Sequence, residues 1–184
     1  MTYLYGKGHR KIAFIGAEAT KNMYGFRKYK APTTNAYYDF MKNMGLFRDD
    51  YFIVKQDTAL DVIVGRELAV KALEKWGTDL PTAILAANDA MAVGINNILT
   101  SKGIRIPEDV SLMGINDISI SQYITPPLTT VKIYTEEVGE IGVETVHNRI
   151  INPSIYRRIM LTSDIIERDS VCDIKETSNT YHDL

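Results

Sequence analysis

Residues 83–103 read Ala-Ile-Leu-Ala-Ala-Asn-Asp-Ala-Met-Ala-Val-Gly-Ile-Asn-Asn-Ile-Leu-Thr-Ser-Lys-Gly, and their reading decides the class of fold. The short apolar run Ala83–Ala86 suits a strand buried on both faces. After Asn88-Asp89 the period changes. Met91, Ala92, Ile95, Ile98 and Leu99 form one helical stripe, and Gly103 supplies a stop. A buried strand that runs straight into an amphipathic helix is a βα unit, and the same alternation extends in both directions. Upstream, Ile12–Ile15 and Tyr51–Val54 read as strands. Between them Tyr37, Phe40, Met41 and Met44 make a helical stripe closed by Gly45. Leu68, Ala69, Ala72, Leu73 and Trp76 make another, closed by Gly77. Downstream, Val110–Ile115 and Leu128–Ile133 read as strands. Val138, Ile141, Gly142, Thr145 and Val146 then read as a helix stopped by Asn152-Pro153, with Thr135 as its expected cap and Glu136 and Glu137 in its first turn. Tyr156–Leu161 and Ile165–Arg168 are two late β-like segments. The expectation is an α/β fold: a doubly wound, mostly parallel sheet flanked by helices, with right-handed crossovers.

Composition bounds the function classes. The chain has 184 residues, ample for a buried core. With 21 basic against 23 acidic side chains, the net charge of −2 gives no global reason to bind nucleic acid or an anionic membrane. The single cysteine, Cys172, excludes an intramolecular disulfide framework and a cysteine-rich zinc site. No apolar stretch approaches the roughly 20 residues needed to cross a bilayer. The segment from Met1 to Arg10 is polar and has no apolar core of a signal peptide, so the expected compartment is the cytoplasm.

Few residues carry reactive chemistry. Gly6-Lys7-Gly8 precedes a strand, whereas a phosphate-cradling loop must follow one and open a helix. His9, His147 and His182 are far apart and none belongs to a metal-spaced pair; each is expected at the surface or as a cap. No catalytic residue, metal site or cofactor is expected. Two sharper constellations remain. Asn88-Asp89 follows the strand Ala83–Ala86, with Asp89 the expected helix cap and Asn88 free to offer a donor and an acceptor. Asn116-Asp117 stands in the same relation to the next strand. Amides and carboxylates at one sheet edge suit polyol hydroxyls but activate no water. Glu18 to Pro32 is a long polar loop at the carboxyl end of the first strand, where ligands of parallel sheets bind. It holds Tyr24 and Tyr29, with Tyr37 just beyond; tyrosine faces stack on sugars and bases, or simply pack in a core.

Taken in order, Gly8-His9-Arg10-Lys11-Ile12-Ala13-Phe14-Ile15-Gly16, Ala86–Gly94, Gly103–Asp117, Thr125-Pro126-Pro127-Leu128-Thr129-Thr130-Val131 and Ile166-Glu167-Arg168-Asp169-Ser170 resemble the effector-binding core of the LacI/GalR family of bacterial transcription regulators. The resemblance covers about residues 6–171. It implies two α/β lobes of periplasmic-binding-protein type with a small effector between them. It also implies a DNA-binding headpiece and a dimer in the full-length protein. Residues 1–131 then form the core of the second lobe. Residues 132–153 belong to the first lobe, 154–171 return to the second, and 172–184 are a polar tail. The headpiece and most of the first lobe are not in this chain, so it is expected to reach operator DNA only through parts it lacks. Two effector-binding positions carry over, to Asn88 and Asn116. A third departs from the pattern. Relatives carry Arg at the start of the first helix, and Thr33 stands there; Arg27 or Lys28 in the preceding loop could substitute. Thr58, after the second strand, is a further candidate. The absence of that Arg argues against a carboxylate-bearing ligand, and the expected effector is a sugar or sugar derivative. Two rival readings are a periplasmic-type sugar-binding protein of a transport system, and an enzyme on the same kind of sheet.

Overall fold

A computed structural model describes residues 1–18, 31–154 and 156–174. Its strands fall on the apolar runs: β1 (Ile12–Glu18), β2 (Phe52–Gln56), β3 (Ala83–Ala86), β4 (Ser111–Asn116) and β5 (Thr129–Lys132). They form one sheet with a short sixth strand, β6 (Asp164–Ile166), in the order β2-β1-β3-β4-β5-β6. β1 to β5 pair in parallel, and β6 runs antiparallel to β5. Every residue of β1 and β3 is buried, as central strands covered on both faces must be. The strand order reverses between β1 and β3, which opens a crevice at their carboxyl ends.

The helices α2 (Pro32–Asn43), α3 (Val62–Trp76), α4 (Asp89–Ser101) and α5 (Thr135–Ile151) fall where the periodicity places them. Gly45, Gly77 and Gly103 follow α2, α3 and α4 at positive φ, the conformation that ends a helix without a Cβ clash. Tyr37 of α2 stacks on Phe14 with ring centroids 5.2 Å apart, and its hydroxyl donates to Ile12 O at 2.8 Å. α3 and α4 lie in backbone contact, because a Cβ on Gly94 would sit 2.2 Å from Val62 O.

Several expectations need correction. The start of the chain contains a short helix, α1 (Thr2–Gly6), that buries Leu4. His9 is fully buried, with Nδ1 3.0 Å from Thr82 Oγ1 and Nε2 3.0 Å from Cys172 O. Its neighbours hold the first residues of the last segment too, since Ile174 N donates to Lys7 O at 2.8 Å. Thr135 is the first residue of α5 and does not cap it; Tyr134 holds the cap position, and its side chain makes no bond to the helix N–H groups. Tyr156–Leu161 is not a strand. It is exposed and no strand of the sheet pairs with it, so its β-branched and aromatic residues have no pleated surface to pack on. α5 itself buries no residue.

Candidate functional site

Asn88 takes the capping role that was expected of Asp89. Asn88 is the α4 cap: its Oδ1 accepts from Met91 N at 2.9 Å, and its Nδ2 donates to Leu60 O at 2.9 Å. Its amide thus fastens the loop after β2, which carries half-buried Thr58, to the start of α4. Asp89 is fully buried and does not cap. Its Oδ2 accepts from Ile118 N at 2.9 Å and from Ser121 Oγ at 2.8 Å, while Oδ1 accepts from Thr130 Oγ1 at 2.6 Å. One carboxylate therefore ties α4 to the turn after β4 and to β5. It also explains Gly114, where a Cβ would come within 2.1 Å of Asp89 Oδ1.

The turn after β4 holds two consecutive non-glycine residues at positive φ, Asn116 at 117° and Asp117 at 55°. Asp117 Oδ1 accepts from Arg168 Nη2 at 2.7 Å, and Arg168 Nη1 also donates to Leu128 O at 2.8 Å. Asn116 lines a cavity of about 630 Å³ with Asp117, Ser119, Lys132, Glu136 and Glu137. An adjoining cavity of about 650 Å³ is lined by Thr33, Ile115, Val131, Val138, Ile141 and Leu161, among others. Ile133 and Tyr134 line both, so the cavity that holds Thr33 and the cavity that holds Asn116 share these two residues. Tyr134 donates to Asp164, and that carboxylate holds the phenol above its ordinary range.

Arg27 and Lys28, with Tyr24 and Tyr29, lie outside the described residues. Tyr37 is a core residue and faces no ligand space. The sequence reading missed Glu18 at the carboxyl end of β1. It is only 7% exposed, and its Oε2 accepts from Gln56 Nε2 at 3.2 Å. Among the described residues its Oε1 has no hydrogen-bond partner. A buried carboxylate oxygen with nothing to accept is unusual, and here it stands beside the point where the strand order reverses. A charged residue ending an apolar strand was its only signal. Among the described residues, no group of three His, Cys, Asp or Glu is placed to hold a metal ion. Among the same residues, no helix is long and apolar enough to cross a membrane.

A parallel sheet with one reversal, polar side chains gathered at its carboxyl edge and a single antiparallel return strand define a lobe of periplasmic-binding-protein type. The family of periplasmic-binding-protein-like domains matches residues 1–171. The chain is 33% identical over 181 residues to the HTH-type transcriptional repressor PurR of Vibrio cholerae, a match covering 95% of this chain and 49% of that protein. It is 32% identical over 171 residues to the ribose operon repressor of Escherichia coli, covering 91% and 48%. A solved sugar-binding transcriptional regulator of the LacI family from Escherichia coli, complexed with phosphate, superposes with a TM-score of 0.72 at 27% identity, over 94% of this chain and 58% of that one. The chain belongs to the periplasmic-binding-protein-like domain family, as an effector-binding core of the LacI/GalR type. It spans about half the length of the curated relatives it matches.

Proposed function

We propose that this chain is the second-lobe half of an effector-sensing domain in a DNA-binding transcriptional regulator. The effector is a sugar or other polyol bound at the carboxyl edge of the sheet. The observation that carries this reading is the joint placement, at that edge, of Asn116 and of buried Glu18, whose Oε1 has no partner among the described residues, in a chain of this family. An amide both donates and accepts, and a lone carboxylate oxygen seeks a donor. Hydroxyl groups answer both. Thr33 offers a third hydroxyl contact where a cation would select an anion. Relatives named as repressors, one of them of the ribose operon, favour regulation over transport and over catalysis. In the whole protein the sensor works in the cytoplasm as a homodimer. Effector binds one closure state of the two lobes better than the other, and so biases the spacing of two DNA-reading headpieces.

A thermal-shift screen of the protein carrying both lobes, with D-ribose and other pentoses and hexoses, tests the reading. A sugar at 100 times its dissociation constant adds about 2.7 kcal/mol of stability. Asn116→Gly, which removes the amide at a positive φ that glycine tolerates, and Glu18→Gln should each abolish the shift while leaving the ligand-free melting transition in place. A shift that survives both substitutions would place the ligand elsewhere. The 184-residue chain alone, which spans about half the length of its repressor relatives, should leave operator DNA unshifted in an electrophoretic assay at moderate salt.

A further inference from the structure

The turn that presents Asn116 is held in an unfavourable shape from outside. Positive φ at a non-glycine residue persists only where the surroundings enforce it, and Asn116 and Asp117 adopt it in succession. The side of the turn toward α4 is fixed by Asp89, through Ile118 N. The side toward the return segment is fixed by Arg168. Its guanidinium spans two acceptors, Asp117 Oδ1 and Leu128 O. The side chains of the pair are 18% and 13% exposed, so water competes weakly for either partner. Arg168 is itself locked to β5, because its N–H donates to Thr129 Oγ1 at 2.9 Å and its carbonyl accepts from the same hydroxyl at 3.0 Å. It lies two residues beyond β6, the strand on which the chain returns to the sheet.

We infer that Arg168 is a positioning residue for the effector site: acting through Asp117, it holds Asn116 in its left-handed conformation and so couples the site to the β6 return segment. This rests on the reading of Asn116 as an effector contact. A lysine in its place keeps the charge but has one point donor group, which does not bridge Leu128 O and Asp117 in the same fixed fork. The role is distinct from that of a simple brace between β5 and the return segment, which needs only the Leu128 contact. Movement of the return segment would also displace Asp117, so effector occupancy and segment position bias each other reciprocally.

The test combines Arg168→Lys with Asp117→Gly in the 184-residue chain. Glycine adopts positive φ without outside help, so it makes the clamp unnecessary. Amide hydrogen exchange and ¹⁵N–¹H spectra report the turn without any ligand. Arg168→Lys should raise exchange at residues 116–118 by about tenfold, with β1 and β3 unchanged. In the Asp117→Gly background the same substitution should change exchange at 116 and 118 by less than about twofold. An unaltered turn in Arg168→Lys overturns the inference. So does an equal effect in both backgrounds, which would assign Arg168 to the Leu128 contact alone. Titration of the two-lobe protein with D-ribose adds a second arm. If the unaltered protein binds, Arg168→Lys should weaken binding by about tenfold at unchanged melting temperature, and equal affinity overturns the inference. If the unaltered protein binds no ribose, the sugar reading fails for ribose, and the exchange result still decides the role of Arg168.

Discussion

Truncating Asp89 to alanine removes the acceptor of Ile118 N, Ser121 Oγ and Thr130 Oγ1 at once, in a place no water reaches. Buried donors left without partners cost about 1–3 kcal/mol, so Asp89→Ala should lose about 3 kcal/mol in urea unfolding, with Asn88→Ala losing nearer 1 kcal/mol as an ordinary cap. A smaller loss at Asp89 than at Asn88 would restore the roles first read from the sequence. His9 sets a pH dependence. Burial is the main influence on its ring and lowers its proton affinity, against a smaller opposite effect of the bond to Cys172 O. The unfolded chain therefore binds the proton more readily than the folded one. Stability is fully present above the ordinary histidine value near 6.5 and declines as pH falls through the lower folded value. His9→Gln should flatten that decline in urea melts between pH 7.5 and 5. A slope identical to that of the unaltered chain would mean the ring titrates freely. At this scale the sequence revealed which residues were polar and where they fell along the chain. It did not reveal their partners. Asp89 meets Thr130, and Arg168 meets Asp117, across 41 and 51 residues, so no local pattern announces them.

Elements were far more legible, because burial on both faces writes β1 and β3 as unbroken apolar runs and amphipathic packing writes α2 to α4 as stripes. Their boundaries drifted by one to three residues where caps and turns decide, most at β1, which runs on to Glu18. Tyr156–Leu161 failed as a strand for a different reason: β-propensity records fit to a neighbouring strand, and this segment has none. Helix glycines separate local propensity from packing. Gly94 of α4 faces α3, with Val62 O and Arg66 N at 2.2 and 2.8 Å from a built Cβ, and both are backbone atoms that cannot swing aside. Gly94→Ala should cost at least about 2 kcal/mol, read in urea unfolding, because the two helices must move apart. Gly139, inside α5, has nothing within 4 Å. Gly139→Ala there should gain about 1 kcal/mol of local helix stability and slow amide exchange in α5 about fivefold. Gains at both positions would mean that the α3–α4 contact is looser than its backbone distances require.

The whole molecule divides by burial. From β1 to β5 the chain has a continuous core, whereas α5 and the segment after it turn Val143, Val146, Ile150, Tyr156 and Met160 outward, each more than 60% exposed. Scattered apolar surface is ordinary, but a contiguous stretch on one arm marks a contact surface. We propose, as the resemblance implies, that residues 132–153 belong to a first lobe; α5 has no fully buried residue, so its apolar side chains are available to such a partner. Apolar area of this kind gains about 25 cal/mol for each Å² removed from water, so the isolated chain should seek cover. We expect the 184-residue chain to bind a hydrophobic dye and to self-associate in size-exclusion chromatography with light scattering. Val146→Glu with Ile150→Glu should suppress both while the core melts unchanged, because neither side chain contributes to that core. Attaching a first lobe should suppress both as well, and should slow amide exchange along α5. A monodisperse monomer that binds no dye would mean that the arm folds back over its own apolar face, and the assignment of residues 132–153 to another lobe would fall with it.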